Sequence, residues 1–143
     1  MINNIITGIS QKLDESFNLQ EEKYKIYTDG VEQGLEEPCF FIFSLSPSQR
    51  QVSSNRYYRE HSFDIQYFPS TTEINFELNE MVEMLYQSME YIMINGELIR
   101  GTKMNAEKVD DVLHFFINYN MYVTKQVVQE EPMEEILIKQ NAR

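Results

Sequence analysis

The chain has 143 residues, 23 acidic against 12 basic, for a formal charge of −11 near neutral pH. Hydrophobic residues at 42 % and aromatics at 13 % suffice for a single domain over 1–143 with a real core, which excludes intrinsic disorder. The excess of acid argues against general nucleic-acid binding, since affinity for phosphate comes from Lys and Arg displacing counterions.

From Ile2 the apolar residues Ile2, Ile5, Ile6, Ile9, Leu13 and Phe17 recur at three- and four-residue steps, predicting a helix over Ile2 to Phe17. Tyr24, Ile26 and Thr28 alternate with Lys23, Lys25 and Tyr27 as in a half-buried strand, and Asp29-Gly30 marks a turn. After Pro38, Cys39 to Phe43 is apolar on both alternating faces, the pattern of a central strand. Ser46 to Asn55 shows no periodicity and reads as a long exposed loop.

Strand character resumes at Arg56 and is clearest at Phe63, Ile65 and Tyr67, until Pro69. Ser70 with Glu73 forms a capping-box pattern, predicting a second helix. Its stripe of Ile74, Leu78, Met81, Val82, Leu85, Met89 and Ile92 predicts about five turns, closed by Asn95-Gly96. A short strand is expected over Glu97 to Lys103. A strand of unusual length follows from Val112 to Thr124, with Leu113, Phe115, Ile117, Tyr119, Met121 and Val123 on one face. Its far end is expected to reach another subunit. Pro132 with Glu130, Glu131 and Glu134 marks the start of a short terminal helix. The expected fold is therefore α+β: two amphipathic helices on a largely antiparallel or mixed sheet of four to five strands, with a short C-terminal helix.

Chemistry is sparse. Asp110-Asp111, with Glu107 and His114, is the best cluster for a hard cation, but neighbours on a strand point to opposite faces, so a solvated turn is the better reading. His61 and His114 lack ligand spacing. Cys39 enters an apolar strand and reads as a buried thiol rather than a nucleophile; as the lone cysteine it excludes an internal disulfide and a multi-cysteine zinc site, which fits a reducing cytoplasm. Phosphate-loop, dinucleotide and nucleophile-elbow motifs are missing, so no enzymatic activity, catalytic residue, metal or cofactor is expected. The methionines read mostly as core filler, and Tyr57, Tyr58, Phe63, Tyr67 and Phe68 as sheet packing or a protein interface. No apolar stretch approaches the roughly 18 residues of a membrane span, and Met1 to Ser10 lacks the pattern of a signal peptide, so a soluble protein is expected.

Three stretches taken in order carry a family resemblance. They are Tyr24 to Tyr27 continuing to Glu37-Pro38-Cys39-Phe40-Phe41-Ile42; Asn55-Arg56-Tyr57 through Phe63 to Pro69; and Arg100-Gly101-Thr102-Lys103-Met104 leading into Val112 to Tyr119. Together they resemble the tail terminator family of tailed phages and PBSX-like prophage elements. The resemblance implies a structural protein of the virion tail, assembled in the host bacterial cytoplasm. It implies a homo-oligomeric ring, typically a hexamer, that caps the completed tail tube, stops addition of tube protein and offers a docking face to the head connector. The rival readings are a head-tail joining (neck) protein and a monomeric bacterial adaptor domain.

A ring needs one patch to meet a different patch on the neighbour. Two regions are the candidates: Ser46 to Asn55, and Tyr119 to Lys125. The interface residues expected are Arg50, Arg56, Arg59 and Arg100, whose guanidinium groups pair specifically with carboxylates, together with Tyr119, Tyr122 and Lys125. Six copies would carry on the order of −66, so acid lining the bore would repel DNA passing through it.

Overall fold

The computed structural model describes residues 1–30 and 34–126. In chain order the elements are α1 (Ile2–Phe17), β1 (Lys25–Tyr27), β2 (Cys39–Ser44), β3 (Ser48–Ser53), β4 (Arg56–Glu60), β5 (Ser62–Phe68), α2 (Ile74–Ser88), β6 (Tyr91–Ile94), β7 (Glu97–Arg100), β8 (Thr102–Val109), β9 (Val112–Asn118) and β10 (Met121–Thr124). The strands form a five-stranded sheet in the order β1-β2-β5-β9-β8, a three-stranded sheet β10-β4-β3 and the hairpin β6-β7. All pairings are antiparallel except β1 with β2.

Alternation decides which face of the main sheet is covered. Phe40 and Ile42 on β2, Phe63, Ile65 and Tyr67 on β5, and Leu113, Phe115 and Ile117 on β9 all project to one face and are buried. Against that face pack Ile5, Ile9 and Leu13 of α1 and Leu78, Met81 and Leu85 of α2. At Gly8, α1 approaches β6 so closely that a Cβ would lie 2.8 Å from the Met93 carbonyl oxygen, so glycine is needed there. Asn18 ends α1: its side-chain oxygen accepts from the Lys23 and Tyr24 amides while its Nδ2 donates to the Tyr24 carbonyl. The Lys25–Tyr27 strand is thereby led into the edge of the sheet. No helix among the described residues is long and apolar enough to cross a membrane.

The expected fold needs correcting. In place of one sheet of four to five strands, the described residues hold ten strands in three sheets with two helices, and the protein is mostly β. The expected loop Ser46–Asn55 contains β3, which pairs with β4 from Ser48 opposite Glu60 to Ser53 opposite Arg56. Its residues are exposed throughout, which is why no hydrophobic period marks it. The second helix stops at Ser88 rather than near Ile92, because Ile92 and Ile94 alternate with exposed Tyr91 and Met93 in β6. Asn95-Gly96 is not a helix stop but the hairpin turn between β6 and β7, with φ of 51° and 83°.

The strand expected over Glu97–Lys103 breaks at Gly101, where the chain passes from the hairpin into β8. The strand expected over Val112–Thr124 is two strands in different sheets, parted at Tyr119-Asn120. Its far end pairs with β4 of the same chain. Ser70 and Glu73 make no capping box: Glu73 is the N-cap without a side-chain cap bond, and Ser70 lies one turn too early. Glu77 takes over, accepting from the Ser70 and Thr71 amides, the Thr71 hydroxyl and the Tyr67 hydroxyl. The terminal helix expected from Pro132 lies outside the described residues.

Candidate assembly interface

The three-stranded sheet gathers most of the residues expected at an interface. β4 runs into β5 through the single residue His61, and β9 runs into β10 through Tyr119 and Asn120, so the small sheet extends the β5–β9 ladder beyond Ser62 and Asn118. The joint is held across the two strands. Tyr119 N–H donates to the His61 carbonyl at 2.8 Å, His61 N–H to Asn120 Oδ1 at 3.0 Å, and His61 Nδ1 lies 2.9 Å from the Tyr119 carbonyl.

Register sorts the side chains of this sheet. Arg50 opposite Tyr58, and Tyr58 opposite Tyr122, share one face with Arg56. There the Tyr58 and Tyr122 rings lie 4.8 Å apart, the Arg50 guanidinium sits 5.1 Å from the Tyr58 centroid, and that of Arg56 sits 4.4 Å from the Tyr122 centroid. Tyr122 is 54 % exposed, so this is the outward face. Arginine heads held on tyrosine rings are ordered donors at no cost in backbone strain. The other face carries Tyr57, Arg59, Met121 and Val123; Met121 packs against the core, and the Lys125 ammonium lies 4.6 Å from the Tyr57 centroid. Three of the five arginines of this acidic chain thus stand in one small sheet.

Two of the expected residues stand elsewhere. Arg100 belongs to the hairpin β6-β7, 3.7 Å from Glu90. Tyr119 is fully buried inside the protomer and donates its hydroxyl to the Met89 carbonyl at 2.6 Å, so it serves the core.

The other candidate chemistry has structural uses. Asp110 and Asp111 form the β8–β9 turn with φ of 51° and 63°, a conformation that aspartate tolerates better than most residues. His114 faces Asp64 instead of that turn, with Nδ1 2.9 Å from Oδ2. Among the described residues no three His, Cys, Asp or Glu side chains converge on one point. Burial, with the Glu37 charge adding to it, pushes the Cys39 thiol up to about 11, which keeps it protonated and unreactive.

A second surface is one the sequence reading did not single out. Outside the buried stripe of α2, Glu73, Phe76, Glu80, Glu83 and Met84 are exposed, and Phe76 is 65 % so. Phe76, Glu80 and Met84 flank a groove of about 330 Å³ that runs to Tyr24, Tyr67 and Thr71, with Lys23 at its rim. The signal was present in the spacing: Phe76, Glu80, Glu83 and Met84 fall at helical steps opposite Leu78, Met81 and Leu85.

Comparison with curated proteins returns no match. One solved structure aligns with 89 % of this chain and 97 % of its own at 8 % identity and a TM-score of 0.41, too distant to inform function. A model of phage tail terminator proteins matches residues 4–131. With most of its length matched, this acidic, mostly β chain belongs to the phage tail terminator protein family and has its role in phage tail assembly.

Proposed function

We propose that the protein closes into a ring, as a hexamer, on the end of the finished tail tube, stops further addition of tube protein and presents a face to the head connector. The family match over residues 4–131 carries this reading. The projecting sheet β10-β4-β3 supports it, since an exposed, ordered, basic and aromatic surface on an otherwise acidic protomer suits contact with acidic neighbours. The polypeptide itself would act by occupying the tube end, with no bond made or broken.

Deleting the protein from a phage or prophage that encodes it tests the reading. Tails of uncontrolled length in electron micrographs are expected. Tails of normal length that fail to join heads would instead identify a neck protein and overturn the terminator assignment.

A further inference from the structure

Two surfaces of one protomer carry opposite charge. At the Ser62–Asn118 end of the β5–β9 ladder stands the outward face of β10-β4-β3, with Arg50 and Arg56 held on Tyr58 and Tyr122. Near Phe68 at the far end of β5, Tyr67 gives its hydroxyl to Glu77 and lines the groove beside α2, where Phe76 and Met84 stand with Glu73 and Glu80, and Glu83 is exposed on the same helix.

Both surfaces are incomplete alone. Arg50 and Arg56 have tyrosine faces beneath them, but among the described residues neither forms an ion pair with a carboxylate. Glu73, Glu80 and Glu83 likewise form no ion pair there. Beside those acids, Phe76 exposes a large apolar surface next to a groove of about 330 Å³, room enough for an aromatic side chain. The groove rim has one cation of its own, Lys23, which rests on Tyr24. One surface offers rings edged with cations, and the other an apolar slot edged with carboxylates.

Resting on the ring reading above, we propose that the occupant of the α2 groove is the β10-β4-β3 sheet of the next copy of this chain. Tyr122 meets Phe76 and Met84, and Arg50 and Arg56 face Glu80 and Glu83. Because the patches differ, the contact is head-to-tail, the kind that repeats around a ring and leaves neither patch free once it closes. A two-fold dimer would instead need one patch to match itself.

Charge reversal gives a test specific to this pairing. Arg56→Glu and Glu80→Arg, each exposed and each checked for wild-type thermal unfolding, should separately raise the protein concentration at half-assembly by at least about tenfold in light scattering. The double variant Arg56→Glu/Glu80→Arg should recover assembly. Mixed in equal amounts, the two single variants should also co-assemble, since every sheet then finds a complementary helix on the other variant, and native mass spectrometry should show equal numbers of each. Wild-type assembly by both single variants overturns this contact and leaves the ring intact. Variants that form rings but fail to bind tail tubes would assign the groove to the tube protein, again overturning it. A wild-type chain that stays monomeric at millimolar concentration overturns the ring reading and this contact together.

Discussion

His61 and Tyr119 are bonded to each other twice at the point where the chain leaves the main sheet: Tyr119 N–H donates to the His61 carbonyl, and His61 Nδ1 to the Tyr119 carbonyl at 2.9 Å. A carbonyl can only accept, so Nδ1 carries the proton and the neutral ring leaves Nε2 bare. Nε2 is buried without a partner among the described residues. Burial holds the imidazole below its usual 6.5 and the Arg59 charge adds to this, against the opposing pull of the Tyr119 carbonyl.

Acid should therefore loosen this joint. A histidine whose folded pKa lies below its unfolded one gives stability that is present above about 6.5 and is lost as pH falls below that value, because the unfolded chain takes up a proton the fold resists. Urea midpoints are expected to drop between about pH 7.5 and about pH 5.5. His61→Asn, which keeps a donor near Nδ1 and cannot titrate, should flatten the difference. An unchanged pH slope in that variant would place the titration elsewhere.

Tyr119→Phe removes the hydroxyl that satisfies the Met89 carbonyl at the end of α2. An unpaired buried carbonyl costs about 1–2 kcal/mol. Thermal unfolding should report that loss while light scattering shows unchanged assembly, separating this tyrosine from exposed Tyr122. A Tyr119→Phe chain as stable as wild type would contradict the buried role.

Gly101 sits where the hairpin β6-β7 hands the chain to β8, and its amide donates to the Glu90 carbonyl at 2.6 Å. A Cβ there would stand 2.5 Å from Ile117 Cδ1 and 2.9 Å from the Met89 carbonyl oxygen. Both neighbours are buried and one is backbone, so Gly101→Ala should cost about 1–3 kcal/mol in chemical denaturation. Gly34→Ala, with open space around it, is the control and should leave stability unchanged.

Glu77→Gln addresses the start of α2. Burial would raise this carboxyl, but hydrogen bonds from the Thr71 hydroxyl, the Tyr67 hydroxyl and the Thr71 and Ser70 amides outweigh it and hold the group below 4.5. A carboxyl lowered in the fold gives stability present above the unfolded value and lost as pH falls through the folded one. Replacement should cost about 1–2 kcal/mol at neutral pH, and much less in acid below both values, as read by denaturation at each pH.

How much of this was legible in the sequence depends on how many apolar residues each element buries. Ile5, Ile9 and Leu13 mark α1, and Phe63, Ile65, Leu113, Phe115 and Ile117 mark the central ladder, because each needs cover and repeats with the period of its element. β3 has no such need. Serine, glutamine and arginine with one exposed valine, Val52, make it up with nothing buried, and its pairing rests on backbone bonds that composition does not record. The break at Tyr119 was hidden for the opposite reason. Alternation continues unbroken from Leu113 to Val123 while the strand changes partner, from β5 at Asn118 to β4 at Met121.

The same limit shaped the interface. The arginines of the small sheet stood out as rare cations, but Arg100 is no different from them in sequence, nor Tyr119 from Tyr122, and the fold places both elsewhere. Phe76 escaped notice because an exposed aromatic in an acidic helix reads as one more apolar position until the buried stripe is known.

The short joints at His61 and at Tyr119-Asn120, which lead β5 and β9 directly into the small sheet, bear on how readily a partner can dock there. Arg50, Arg56, Tyr58 and Tyr122 are carried on strands already paired and pinned to the core before any neighbour arrives. Their ordering entropy is met when the chain folds, so docking of a partner would lose mainly the partner's free tumbling. Such a surface suits a protein whose role in phage tail assembly is to meet other proteins.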